Sequence, residues 1–323
     1  MKKKLAFVWD WDEPLGHLAH WEDGLAAALR ELKDKWDLKV YTQMWGVKRE
    51  TIIPHPYFDI YTYPDSKSME EQVLKDAPDV CLFWADMTRP AIPGIASRIP
   101  SAVCFAGGQV EMQNTHLFKK IFVESDSYYE ELIQKGYPAI KAFGTNTGLF
   151  KPKPQPKIFD VFFPACFAAW KRHDLFASVA KFYNSYACGW FQEHEKFCYE
   201  ACQEAGVLTT HHTPPYLLPD FYNASRLVLV TSEASGGSQI TVLEALSCNI
   251  PVVTMADSDK TSQYVIEAGH PDWVVEPNIT AIRQKIDSIL AAPPVVNTRD
   301  FILKNYSEFQ YMEIMHKHLC ELV

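Results

Sequence analysis

Short apolar runs of strand character alternate along this chain with longer segments whose apolar positions recur at helical spacing. "KLAFVWDW" (4–11) reads as a strand, and the loop "DEPLGHLAHWED" leads from it into "GLAAALRELKDK" (24–35), a helix with its charge on one face. "DLKVYTQM", "YFDIYTY", "DVCLFWAD" and "SAVCFAGG" follow as strands, with "SMEEQVLKDA" and "PAIPGIASR" as helices or helical turns between them. "IFVES", the helix "DSYYEELIQKG" and "AIKAFGTN" close the first half. The segment "KPKPQPKI" (151–158), three prolines among alternating charges, has the composition of a semi-rigid linker.

After the linker the alternation resumes. "FDVFFPA" predicts a buried strand, "HDLFASVAKFYNSY" (173–186) a helix and "FQEHEKFCYEACQEAG" another helix. "VLTTHHT" (strand), "YLLPDFYNAS" (helix) and "RLVLVTS" (strand) come next, then a glycine-led helix, "PVVTMA", "SQYVIEAG", "DWVVEP" and "NITAIRQKIDSILA". The terminal "RDFILKNYSEFQYMEIMHKHLCELV" reads as helical throughout. Such alternation predicts an α/β protein with parallel sheets covered on both faces. Two doubly wound domains are expected, over 1–152 and 153–300, with 301–323 a helical tail able to cross back to the first domain. Ligands of such sheets sit outside the carboxyl ends of the strands, and the cleft between two domains is the default site.

One helix carries an unexpected residue. In "EASGGSQITVLEALSCNIPVV" (233–253), Glu244 interrupts an apolar run. Glycines ahead of a helix leave free amides and a partial positive charge, which suit a phosphate. If the helix begins at the diglycine, Gly237, Thr241, Glu244 and Cys248 share a face, and Glu244 lies about 10 Å along the axis from Gly237. A ribose attached to a diphosphate would then satisfy both ends. The alternative is a partly exposed glutamate on an amphipathic helix, and spacing alone leaves both open.

Composition narrows the function classes. With 323 residues, 47% hydrophobic and 22% charged, the chain is that of a globular protein with room for two domains. A net charge of −9 without a basic stripe argues against a nucleic-acid partner. The basic "MKKK" start reads as a solvated strand flank rather than a membrane anchor. No apolar run approaches ~20 residues, so no stable membrane insertion is expected. Eight scattered cysteines without a CxxC pair suggest a reducing, cytoplasmic setting, with no leader ahead of the first strand. Cys198 and Cys202, one turn apart, read as plain helix rather than as a metal pair. His316 and His318 read as surface residues of the terminal helix. His17 and His20, with Glu22 and Asp23 nearby, could bind zinc or act as acid and base. Walker-type, G-x-G-x-x-G and G-x-S-x-G motifs are missing from the sequence.

From these residues the chain resembles the retaining, nucleotide-sugar-dependent glycosyltransferases of family 4, which have the two-domain GT-B fold. "VLEALSCNIPVV" matches the second half of that family's E-G-x-G-x-x-x-L-E-A-x-A-C-G-x-P-V-V segment. "IFVESDSYYEELIQKGYPAIKAFGTNTGLFKP" (121–152), "WKRHDLFASVA" (170–180), "PYLLPDFYNASRLVLVTS" (215–232) and "SQYVIEAGHPDWVVEP" (262–277) extend the likeness.

The resemblance implies a hexosyltransferase that retains anomeric configuration and needs no metal or cofactor. Its co-substrate would be a nucleoside-diphosphate sugar, with a UDP-sugar favoured. It implies donor contacts from Gly236, Gly237, Ser238, Gln239, Ile240 and Thr241 to the diphosphate, and from Glu244 to ribose hydroxyls. Lys171 would meet phosphate, and His212, Thr213 and Tyr216 lie in the loop that usually cradles the base. Lys171 and Glu233 are the catalytic candidates. Glu13, Gly16, His17 and His20, in the first loop, are the acceptor-binding candidates. The acceptor would be a carbohydrate, lipid-linked or small-molecule hydroxyl.

Three positions depart from the family pattern. The first acid of the donor segment is Gly236 here, with Glu233 as a substitute through a longer loop. The arginine five positions before the lysine is Cys166, and the first-domain histidine is Ala106. These departures keep a nucleotide-sugar-binding protein without turnover in play, and a GT-B nucleotide-sugar epimerase is the second alternative.

Overall fold

In the computed structural model, the described residues are 2–13, 24–44, 46–55, 58–85, 88–105, 114–190, 195–211, 213–233 and 239–323, without the side chains of 11–13 and 85. They divide into unit 1, residues 1–143 with 308–323, and unit 2, residues 144–307.

Unit 1 runs β1 (Lys4–Glu13), α1 (Gly24–Leu32), β2 (Asp37–Met44), β3 (Thr51–Pro54), β4 (Asp59–Tyr63), α2 (Ser66–Asp76), β5 (Val80–Ala85), α3 (Ala91–Ala96), β6 (Ser101–Phe105), β7 (Lys120–Val123), α4 (Asp126–Gln134) and β8 (Ala139–Lys141). Its sheet order is β3-β4-β2-β1-β5-β6-β7-β8, parallel except where β3 pairs antiparallel with β4. β1 shows why two apolar faces are needed. Leu5, Phe7 and Trp9 pack into one core with α1, while Ala6 and Val8 join the opposite core under α2, α3 and α4. The helices start on side-chain caps where the sequence supplies them: Asp65 accepts from Ser68 N and Ser125 from Tyr128 N.

Unit 2 continues with β9 (Phe159–Pro164), α5 (His173–Ala180), β10 (Ser185–Gly189), α6 (Lys196–Glu204), β11 (Leu208–His211), α7 (Leu218–Asn223), β12 (Ser225–Val230), α8 (Ile240–Ser247), β13 (Val252–Met255), α9 (Asp259–Glu267), β14 (Val274–Val275), α10 (Ile279–Ala291) and α11 (Arg299–Asn305). Every strand pair is parallel, in the order β11-β10-β9-β12-β13-β14. The last helix, α12 (Glu308–Cys320), belongs to unit 1, where Tyr311, Met312, Met315 and Leu319 fill the core beside α1.

Several elements differ from the sequence expectation. The helix expected over 173–186 ends at Ala180, and Ser185–Gly189 is an interior strand instead. "SYACG" has no β-branched residue, and the helical spacing before it runs straight on; burial between β9 and β11 decides its conformation. The edge strand "TIIP" (51–54) was not expected as a strand at all. The terminal helix is two helices, broken at Tyr306 and Ser307, where Thr145 bridges to Ser307.

His316 and His318 are not plain surface residues. Trp36 Nε1 donates to His316 Nδ1 at 3.0 Å, and His318 Nδ1 lies 3.2 Å from Glu321. Among the described residues, no helix is long and apolar enough to cross a membrane.

Candidate nucleotide-sugar site in unit 2

The strand order of unit 2 reverses between β9 and β12, and at such a switch point the flanking loops open a crevice outside the strands' carboxyl ends. Residues 165–172 leave β9 there, and 231–233 leave β12. The first loop passes over the end of β10 so closely that a Cβ on Gly189 would lie 1.9 Å from Ala165 O. Only glycine allows that approach. The loop ends in a 3-10 turn over Ala169–Lys171, and α5 follows directly.

Two hydrogen bonds stitch the loops together. Thr231 Oγ1 donates to Lys171 O at 2.6 Å, and Glu233 N donates to Trp170 O at 2.9 Å. Lys171 is buried; its Nζ donates to Gln239 Oε1 and sits 4.0 Å above the centre of the Trp170 ring. The sequence-predicted Lys171 and Gln239 are therefore brought together, a cation beside the residue that opens α8.

α8 starts later than the diglycine suggested. Gln239 is its cap, in extended backbone, and Ile240 its first residue, so the axial offset reckoned from Gly237 does not hold. Glu244 lies instead in the second turn, roughly 6 Å from the helix start at 1.5 Å per residue. The Gln239 side chain makes no capping hydrogen bond to the first turn, and the amides of Ile240 and Thr241 lie at an end carrying partial positive charge.

Glu244 is 5% exposed, which excludes the reading of it as a partly exposed surface residue. A buried carboxylate is stable only with donors on it. Tyr222 supplies one: its OH donates to Glu244 Oε2 at 2.6 Å. Tyr222 is fully buried against Phe150 and Phe162, and burial, reinforced by the Glu244 charge, holds its phenol protonated well above the ordinary range. Cys188, on β10, feels the same carboxylate: burial first, with Glu244 adding and Thr213 opposing, pushes its thiol up to about 12.

The far end of α8 is anchored just as firmly. Asn249 takes φ +56, a left-handed stop that asparagine tolerates, and Arg299 donates to the carbonyls of Phe150, Ser247 and Thr147.

Arg172, next to Lys171, was not picked out from the sequence. It holds φ +53, a conformation that costs a residue with a Cβ about 1–2 kcal/mol. Its guanidinium forks onto Asp257 after β13, NH1 to Oδ1 at 3.1 Å and NH2 to Oδ2 at 2.7 Å. Its Nε lies 3.6 Å from Glu233 Oε1. The side chains of Glu233 and Asp257 are 45% and 40% exposed, and ion pairs so open to water contribute about 0–1 kcal/mol.

The remaining candidates are less gathered. Thr213 is half-buried, and Tyr216 is 57% exposed on a 3-10 turn before α7. Gly236, Gly237, Ser238, His212, Gly16, His17, His20 and Ala106 lie outside the described residues, as does the side chain of Glu13, whose backbone ends β1. Cys166, in the family's arginine position, is a half-buried thiol raised by burial, with Lys171 opposing. Among the described residues, no group of three or more His, Cys, Asp or Glu side chains could hold a metal ion; Cys198 and Cys202 are buried thiols of α6.

Two doubly wound parallel-sheet domains in one chain are the GT-B architecture, and solved structures share it over the full length. Sucrose-phosphate synthase from Thermosynechococcus elongatus is 14% identical, each chain covering 99% of the other, with a TM-score of 0.77. Anabaena HepE in complex with UDP-glucose is 13% identical over 98% of this chain and 99% of that one, with a TM-score of 0.72. Trehalose-6-phosphate synthase OtsA is 9% identical over 99% and 100%, with a TM-score of 0.74. No curated protein matches the chain. Residues 162–306, nearly all of unit 2, match the family described as Glycosyl transferases group 1, which supports a glycosyltransferase domain of that group here.

Proposed function

We propose that the chain transfers a hexose from a nucleoside-diphosphate sugar, with a UDP-sugar favoured, to an acceptor hydroxyl, retaining the anomeric configuration. The observation that carries this reading is a pair of buried charged side chains at α8, Lys171 from the loop after β9 and Glu244 from the helix itself. Lys171 reaches Gln239 at the start of α8, and Glu244 waits one turn inside it. A diphosphate against the first-turn amides of α8 would neutralise both Lys171 and the positive helix end. Its ribose would then present vicinal hydroxyls to Glu244. The group 1 match and the UDP-glucose bound to HepE, a protein of the same fold, support a nucleotide-sugar donor.

In this reaction the bond from the anomeric carbon to the β-phosphate oxygen breaks as the acceptor oxygen bonds to the same face of that carbon. The acceptor proton leaves with the diphosphate. Charge builds up on the departing oxygen, and Lys171 with the α8 amides stabilises it, so no divalent metal or other cofactor is invoked. Glu233 stands at the sugar end, and Thr213 and Tyr216 with His212 flank the base. Glu13, Gly16, His17 and His20 are assigned to the acceptor hydroxyl, and the setting is cytoplasmic. Calorimetric titration with UDP tests the donor site: Glu244→Gln, which keeps the side chain's shape, should bind at least about tenfold more weakly than wild type. Equal affinities would refute the reading.

A second reading, donor binding without turnover, is favoured by Cys166, which puts a thiol of raised pKa where the resembled family has a fixed positive charge. Release of UDP from a UDP-sugar separates the two, because a binder releases none.

A further inference from the structure

Arg172 sits in a backbone conformation that glycine adopts freely and other residues resist, and its ion pairs, half-open to water at both carboxylates, give back no more than about that strain. Folding stability alone gives little reason for an arginine at this position. What the arginine supplies is geometry. Both terminal nitrogens fork onto Asp257, which fixes the plane of the guanidinium, and the remaining Nε edge meets Glu233. Its own carbonyl is held by Phe176 N at 3.0 Å and approached by Thr231 Oγ1 at 3.3 Å, so the head of the side chain hangs from a fixed backbone. Glu233 is thereby tethered twice, its amide to Trp170 O and its carboxylate to Arg172. The loops after β9, β12 and β13 meet on this one side chain, while the neighbouring Lys171 goes separately to Gln239.

We propose that Arg172 is a positioning residue that holds the Glu233 carboxylate at the sugar end of the donor. Recognition of the sugar's hydroxyls then depends on Arg172, and binding of the nucleoside diphosphate does not. The proposal rests on the donor reading given above. A carboxylate on a half-exposed loop presents a defined pair of acceptors to sugar hydroxyls only if something rigid restrains it. A guanidinium already clamped by a second carboxylate is such a restraint, and one that retains little free charge for a phosphate.

The test uses the full chain as wild type, Arg172→Gly and Arg172→Lys. Each is melted without ligand and titrated calorimetrically with UDP, UDP-glucose and UDP-N-acetylglucosamine. Arg172→Gly should melt within a few degrees of wild type, since glycine takes φ +53 without strain while the ion pairs and the stiffer unfolded chain are lost. It should bind UDP within about twofold of wild type and lose at least about fivefold of the preference for the better UDP-sugar over UDP. Arg172→Lys keeps the charge without the fork and should fall between.

Equal losses for UDP and the UDP-sugar would make Arg172 a phosphate contact and overturn the proposal. A lowered melting temperature with the sugar preference intact would overturn it too, by marking a purely structural residue. So would a wild-type protein that binds UDP but gains nothing from either sugar. A wild-type protein that binds neither UDP nor a UDP-sugar overturns the donor reading itself, and this proposal with it.

Discussion

His173 offers a quantitative test of how unit 2 is packed around the Lys171 loop. The residue opens α5, is 1% exposed, and has its ring 5.0 Å from the rings of both Phe163 and Phe167. Nδ1 shares a 3.3 Å contact with Ala168 O, which fits a neutral ring with its proton on Nδ1. Nε2 is buried with no hydrogen-bond partner among the described residues, so a second proton would find no acceptor there. Burial therefore lowers the pKa to about 4; Lys171 pushes the same way, and the Ala168 carbonyl and Asp174 oppose it.

The unfolded histidine titrates near 6.5, so between about 4 and 6.5 the unfolded chain binds the extra proton and the folded chain does not. The stabilisation is fully present above about pH 6.5 and is lost as pH falls toward 4. It amounts to about 3 kcal/mol in all, of which about 2 kcal/mol is gone at pH 5. Urea unfolding at pH 7.5 and pH 5.0 should show wild type losing about 2 kcal/mol more than His173→Phe, which fills the same aromatic slot and cannot titrate. His55, His270 and His316, whose pKa values are also lowered, are common to both proteins and cancel in the difference. Equal losses in the two proteins would refute the assignment of a neutral, trapped His173.

Two further outcomes follow from the anchoring of α8. Tyr222→Phe removes the donor to buried Glu244, at a cost of about 2 kcal/mol in unfolding free energy, and should also weaken UDP binding several-fold. An unchanged urea midpoint would show that Glu244 draws nothing from it. Arg299→Met leaves the carbonyls of Thr147, Phe150 and Ser247 without their guanidinium and should lower stability by about 2–4 kcal/mol; a melting temperature within a degree of wild type would contradict that role.

The alternation of strands and helices around parallel sheets could be read in outline from the sequence because β1, β9 and β12 are largely apolar, a pattern that a covered parallel sheet explains. Glu244 could be found for the converse reason, a carboxylate inside an apolar helix. β10 could not, because "SYACG" acquires strand conformation only between its neighbours. The start of α8 differs from the sequence expectation because glycines signal where a helix can begin, whereas here Gln239 and Ile240 take the cap and first turn. Arg172 and Tyr222 escaped because their meaning lies in partners distant along the chain, Asp257 and Glu244, which no local spacing joins to them.

The central claim is that a diphosphate rests on the opening amides of α8 beside Lys171 with its pentose on Glu244. A crystal structure with UDP bound measures this directly. Phosphate density is expected within hydrogen-bonding distance of the Ile240 and Thr241 amides and of Lys171 Nζ, with both ribose hydroxyls on the Glu244 carboxylate. UDP density away from α8, or a Glu244 still bonded only to protein groups with the nucleotide in place, would contradict it.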